Sequence, residues 1–123
     1  MQVPFEQWTD FRISPETCPR TYMLAISDAL NVFTGKWKLH IIGALLSGKR
    51  RFSEIEKTIP GITPRMLSKE LKDLEINGII SRMENSGVEY HLTPSGNNIS
   101  PILDAMIKWG IEHRNTYIGN KSL

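Results

Sequence analysis

The feature that most constrains this chain is the stretch from Thr63 to Gly78. Thr63-Pro64 is a helix N-cap followed by proline at the first helical position, where the missing N–H costs nothing. Gly78 supplies the stop. At about 100° per residue, Leu67, Leu71 and Leu74 form one narrow apolar stripe. Arg65, Ser68, Lys69 and Lys72 fall on the opposite side with no carboxylate among them, while Glu70 and Asp73 take one flank and Glu75 the other. A helix clamped by leucines therefore presents a positive, hydrogen-bonding strip outward.

The flanking segments give this helix a context. Ser53-Glu54-Ile55-Glu56 has the form of a capping box, predicting a short helix that ends near Ile59-Pro60-Gly61. Two helices joined by a few residues with Pro and Gly make a helix-turn-helix. Beyond Gly78, Ile79–Met83 and Val88–Leu92 are strand-like runs, and Asn85-Ser86-Gly87 supplies turn chemistry for a hairpin. Thr93-Pro94 repeats the cap-plus-proline signal and predicts a last helix to about Tyr117. Upstream, Thr21–Phe33 suits a helix of about three turns. Lys36–Ser47 predicts another, apolar nearly all round and hence central. The expected class is mainly α with a small β-hairpin: a winged helix-turn-helix with terminal dimerisation helices. The expected boundaries are an arm over 1–20, a domain over 21–118 and a tail over 119–123.

Charge supports a polyanion partner. Between Thr34 and Asn77 there are nine basic and five acidic residues, a local excess of +4 inside a chain of net +2. On the helix-turn-helix reading the partner is double-stranded DNA, with the outward strip in the major groove. Arg65, early and forked, suits a guanine edge, whereas Lys69 and Lys72 suit phosphates; Ser68 serves either role, and Thr63 at the helix cap is a further DNA-binding candidate. Lys49, Arg50 and Arg51, and Arg82 in the wing, are expected on flanking phosphates.

Other classes fare worse. The 123 residues hold one cysteine, Cys18, which excludes an internal disulfide framework and a Cys-based zinc site. His40, His91 and His113 match no metal spacing, so neither metal nor cofactor is expected. No Gly-rich phosphate loop or paired acid motif is present, so an enzyme is not expected. The longest apolar run, Ile41–Leu46, is far too short for a bilayer, and Met1–Glu6 has no leader pattern; no membrane partner and a cytoplasmic location follow as expectations. RNA binding usually wants exposed aromatics for stacking, and the reading helix has none. A winged helix that binds only protein remains the rival; it need not keep carboxylates off the outward strip.

The residues also resemble a known family. Cys18-Pro19, Gly35-Lys36-Trp37, Arg51-Phe52 with Glu54, Gly61-Ile62-Thr63-Pro64 with Met66-Leu67-Ser68, Leu71, Leu74, Gly78, Tyr90, Leu92-Thr93 and Gly96 are similar to the HxlR group of bacterial, MarR-like winged-helix regulators. The resemblance implies a homodimeric DNA-binding transcriptional regulator that dimerises through its terminal helices. In some members a cysteine at the place of Cys18 senses oxidants, quinones or aldehydes, which requires thiolate character and access. A lone cysteine is otherwise a small buried hydrophobe, and both readings of Cys18 stand. The wing is short here, four residues from Glu84 to Gly87, which argues against deep minor-groove insertion.

The last helix carries Ile99, Ile102, Leu103, Met106, Ile107, Trp109 and Ile111 over more than half its circumference. So wide an apolar band exceeds what one small domain needs to cover. A second copy is expected there, on Ile102, Met106 and Trp109, joined by Phe5, Trp8 and Phe11 of the arm.

Overall fold

The computed structural model describes residues 19–84 and 86–118. Phe5, Trp8, Phe11 and Cys18 lie outside the described residues. The chain divides into two compact units between Thr34 and Gly35. In the first, α1 (Pro19–Phe33) starts two residues earlier than predicted because Pro19 is itself suited to a first helical turn. Met23, Leu24, Ile26 and Leu30 are exposed on it.

The second unit runs α2 (Lys38–Leu46), α3 (Phe52–Thr58), α4 (Pro64–Ile76), β1 (Ile80–Glu84), β2 (Val88–Leu92), α5 (Pro94–Asn97) and α6 (Ser100–His113). A π-type turn over Arg114–Ile118 follows. This is a winged helix: α3 and α4 form the helix-turn-helix and the hairpin forms the wing. Helix α2 is the centre of the core, with Ile41, Ile42, Ala44 and Leu45 buried. Around it lie Ile55 of α3, Ile59 and Ile62 of the connecting turn, the three α4 leucines, Ile79, Ile80 and Ile99. Each such leucine or isoleucine side chain stabilises the fold by about 1.5–3 kcal/mol on burial.

Two local predictions are corrected. The capping box does not use Ser53 and Glu56. Helix α3 begins at Phe52, which puts Glu54 in the third position, and its carboxylate accepts from the backbone N–H groups of Arg50 and Arg51, both at 3.0 Å. Those two hydrogen bonds hold the Glu54 carboxyl below the usual range, because they stabilise the ionised form.

The last helix is also broken. Thr93 caps α5 by accepting from the Gly96 N–H at 3.1 Å, but the helix stops at Asn97 and α6 starts afresh at Ser100. Pro101 lacks the N–H that would bond to the Asn97 carbonyl, and the Ile99 N–H turns back to Gly96 at 3.1 Å. Short α5 is pressed against the wing's base: a Cβ on buried Gly96 would collide with the Ile79 carbonyl oxygen and the Leu92 side chain.

The wing is one antiparallel pair with Ile80 opposite Leu92, Arg82 opposite Tyr90 and Glu84 opposite Val88. Ser86 at φ 54° and Gly87 at φ 106° take the left-handed turn that closes it.

Candidate nucleic-acid interface

Helix α4 begins as its sequence dictates. The Thr63 hydroxyl accepts from the Met66 N–H at 3.1 Å, and Pro64 occupies the first turn. Leu67, Leu71 and Leu74 are 0–2% exposed, so the helix is fastened along its whole length. Thr63, Arg65, Ser68, Lys69 and Lys72 are all exposed. The predicted strip thus exists as one continuous ridge, with Lys69 73% exposed.

The flank of the ridge is fixed by a contact that has no signature in the sequence. Lys38, at the start of α2, places its Nζ 2.7 Å from Glu70 Oε1 of α4, and both side chains are largely buried. Asp73 Oδ2 stands 3.8 Å from the same Nζ and 3.8 Å from Lys69 Nζ. A charge-assisted pair with little solvent around it holds a helix at a definite rotation, since turning α4 would strand both charges. Asp73 partly offsets Lys69, so Arg65 and Lys72 are the ridge cations without a carboxylate at salt-bridge distance among the described residues.

Between α4 and the wing runs a polar groove of about 500 Å³ lined by Ser68, Leu71, Lys72, Glu75, Arg82 and Tyr90. It brings the wing's Arg82 to the same face as Ser68 and Lys72. Arg82 is exposed, with Glu84 3.5 Å away. Tyr90 and Glu75 belong to this face and were not foreseen. Tyr90 sits opposite Arg82 in the hairpin register, which becomes visible only once the turn is known.

The cluster Lys49, Arg50 and Arg51 does not form a single phosphate patch. Lys49 is exposed. Arg50 Nη1 instead donates to the carbonyls of Leu45 at 2.9 Å and Lys49 at 3.0 Å, closing the end of α2. Arg51 Nη1 donates to Ser86 and Val88 carbonyls at 3.1 and 3.4 Å, and its Nη2 is 3.0 Å from Glu89. Forked guanidinium groups beside backbone carbonyls at helix and strand ends donate to the protein's own backbone first.

Helix α6 buries none of its residues. Ile102, Met106, Ile107, Trp109 and Ile111 are 44–65% exposed. An apolar groove of about 380 Å³ lies between α6 and α2, lined by Leu39, His40, Gly43, Leu103, Met106 and Ile107. Trp109 stacks on His113 at 4.7 Å between ring centres, and His91 pairs with Glu89 at 3.0 Å. Among the described residues no three His, Cys, Asp or Glu side chains are grouped to hold a metal, and no helix is long and apolar enough to cross a membrane.

Comparison with known proteins agrees with this geometry. The profile of the HxlR-like helix-turn-helix family matches residues 32–117. An HTH-type transcriptional regulator of Methanothermobacter thermautotrophicus is 44% identical over 93 residues, covering 72% of this chain and 71% of the relative. Among solved structures, an HTH-type transcriptional regulator named ytcD superposes with a TM-score of 0.68 at 40% identity, over 73% of this chain and 96% of the other. The redox regulator HypR in its reduced form superposes with a TM-score of 0.68 at 37% identity, over 73% and 93% of the two chains. With its winged helix-turn-helix matched in both sequence and structure, this chain belongs to the HxlR-like helix-turn-helix family of transcriptional regulators and is not an enzyme.

Proposed function

We propose that the protein binds double-stranded DNA sequence-specifically as a homodimer and so regulates transcription. The observation that carries this reading is the exposed α4 ridge of Thr63, Arg65, Ser68, Lys69 and Lys72, backed by three buried leucines. Arg65, in the first turn, reads a base edge in the major groove. Lys69, Lys72, Lys49 and the wing's Arg82 neutralise phosphates. A second copy covers the apolar face of α6 through Ile102, Met106 and Trp109, with Phe5, Trp8 and Phe11 of the arm contributing. Two reading helices then address half-sites about 34–36 Å apart.

The experiment is a binding titration on a duplex selected from a random pool, repeated across salt concentrations. Lys72→Ala weakens binding to all sequences and lowers the slope of log K against log salt by about 0.9. Arg65→Ala costs about 1–3 kcal/mol and also relaxes the preference at one base pair. Identical base preferences in the two variants would refute the assignment of Arg65, and selection of no duplex would refute the function.

A redox response through Cys18 is the second part of the reading, supported by the likeness to HypR. With one cysteine in the chain no internal disulfide can form, which leaves an intersubunit disulfide, a mixed disulfide formed by way of the sulfenic acid, or alkylation by an electrophile. Cys18→Ser should keep DNA binding and lose any response to diamide; a response that persists in the variant removes Cys18 from the mechanism.

A further inference from the structure

We propose that Arg51 is a positioning residue for DNA binding: its guanidinium latches the wing onto the start of α3, and it does not contact phosphate. This rests on the DNA-binding reading above. A lone two-stranded hairpin is marginally stable and needs to be tied to the rest of a fold. Here the tie is local and directional. Arg51 is the N-cap of α3 in extended conformation, φ −98° and ψ 150°, and Glu54 grips its N–H at 3.0 Å. The side chain leaves that fixed point and crosses to the wing tip. Its Nη1 donates to Ser86 O at 3.1 Å and Val88 O at 3.4 Å, on either side of Gly87, while Nη2 meets Glu89 Oε2 at 3.0 Å. A Cβ on Gly87 would stand 2.6 Å from Nη1, so the turn lies directly against the guanidinium.

The neighbouring groups reinforce the arrangement. Arg50 O accepts from the Tyr90 N–H at 2.8 Å, which pairs the same stretch of chain with β2. The other carboxylate oxygen of Glu89, Oε1, is 3.0 Å from His91 Nε2, so Glu89 is itself oriented from behind. The planar fork serves the two carbonyls from one nitrogen and the carboxylate from another, at a fixed spread; a lysine gathers its three donors on a single nitrogen and cannot span the same points in that geometry. The wing tip is thereby referred to the helix-turn-helix, and Arg82, which shares the groove with α4, is held at a set distance from the reading ridge.

The full-length protein tests this by amide hydrogen exchange without DNA, combined with titration of the selected duplex. Arg51→Lys keeps the charge and removes the fork. It should raise exchange at the cross-strand amides of Met83 and Glu89 at least tenfold, leave α4 amides unchanged, and weaken duplex binding about tenfold with the salt slope unaltered. Glu89→Gln should also loosen the wing amides and weaken binding. Wing exchange unaltered in Arg51→Lys overturns the latch. So does a Glu89→Gln protein that keeps wing exchange and binds the duplex more tightly, because Arg51 released from Glu89 would then be serving a phosphate. If the wild type binds no duplex, the DNA reading falls by itself, and exchange still decides whether Arg51 holds the wing.

Discussion

Helices α4 and α6 are nearly equal in length and treat their apolar side chains in opposite ways. In α4, Leu67, Leu71 and Leu74 are 0–2% exposed and the polar residues face out. In α6 no residue is buried, and Ile102, Met106, Ile107, Trp109 and Ile111 stay 44–65% exposed. The first helix is completed by its own chain; the apolar face of the second asks for another surface. The contrast teaches that apolar periodicity reports that a face will be covered and does not report by what.

The contrast can be broken in order of effect. Leu67→Ala should cost about 2–5 kcal/mol of unfolding free energy, because the cavity opens in the centre of the core; a urea titration showing less than about 1 kcal/mol would mean that α4 is not anchored as described. Lys38→Met comes next. It strands Glu70, whose side chain is largely buried, and should cost about 1.5–3 kcal/mol. Restoration of most of that loss by adding Glu70→Leu would identify the uncompensated charge as the cause. On α6 the balance reverses: Met106→Glu should change the stability of the single chain by no more than about 0.5 kcal/mol. If the proposed homodimer forms on this face, the substitution should nevertheless raise the dissociation constant at least about tenfold, equivalent to about 1.4 kcal/mol. Sedimentation at several concentrations measures this, and an unchanged mass would remove α6 from the proposed interface.

The smallest effect sharpens the start of α3. Glu54 is held below its usual range by the Arg50 and Arg51 amides. Its contribution is therefore complete above the ordinary glutamate value of about 4.3 and is lost as pH falls through the lower folded value. The stability difference between wild type and Glu54→Gln should shrink as pH is lowered from about 6 to about 3. A difference that stays constant would show that ionisation of Glu54 contributes nothing.

What the sequence made legible follows the range of the interactions. The α4 cap, its leucine stripe, the wing turn and the order of elements are set by neighbours within a few positions, and these agree with the structure. The Lys38–Glu70 pair spans 32 residues and the Arg51–Ser86 bond 35, and no local pattern marks either. Arg51 carries no local mark of its role because its carbonyl partners in the wing become neighbours only after the hairpin folds back, whereas Arg50 turns onto the nearby end of α2. The division of the last helix was a different kind of miss. Pro101 removes the N–H that a continuous helix needs at that point, while the cap signal at Thr93-Pro94 marks only where the first piece starts.

Helix α2 gives the contrast its final consequence. Nine residues long, about 13 Å at helical rise, it holds Glu70 through Lys38 near its first turn. Leu39, His40 and Gly43 of the same helix wall the groove against α6, and the Leu103 side chain would lie 3.7 Å from a Cβ on Gly43. One axle therefore carries both bearings: α4 is pinned at the first residue of α2, and the apolar hollow beside α6 is walled by the next two turns of the same helix.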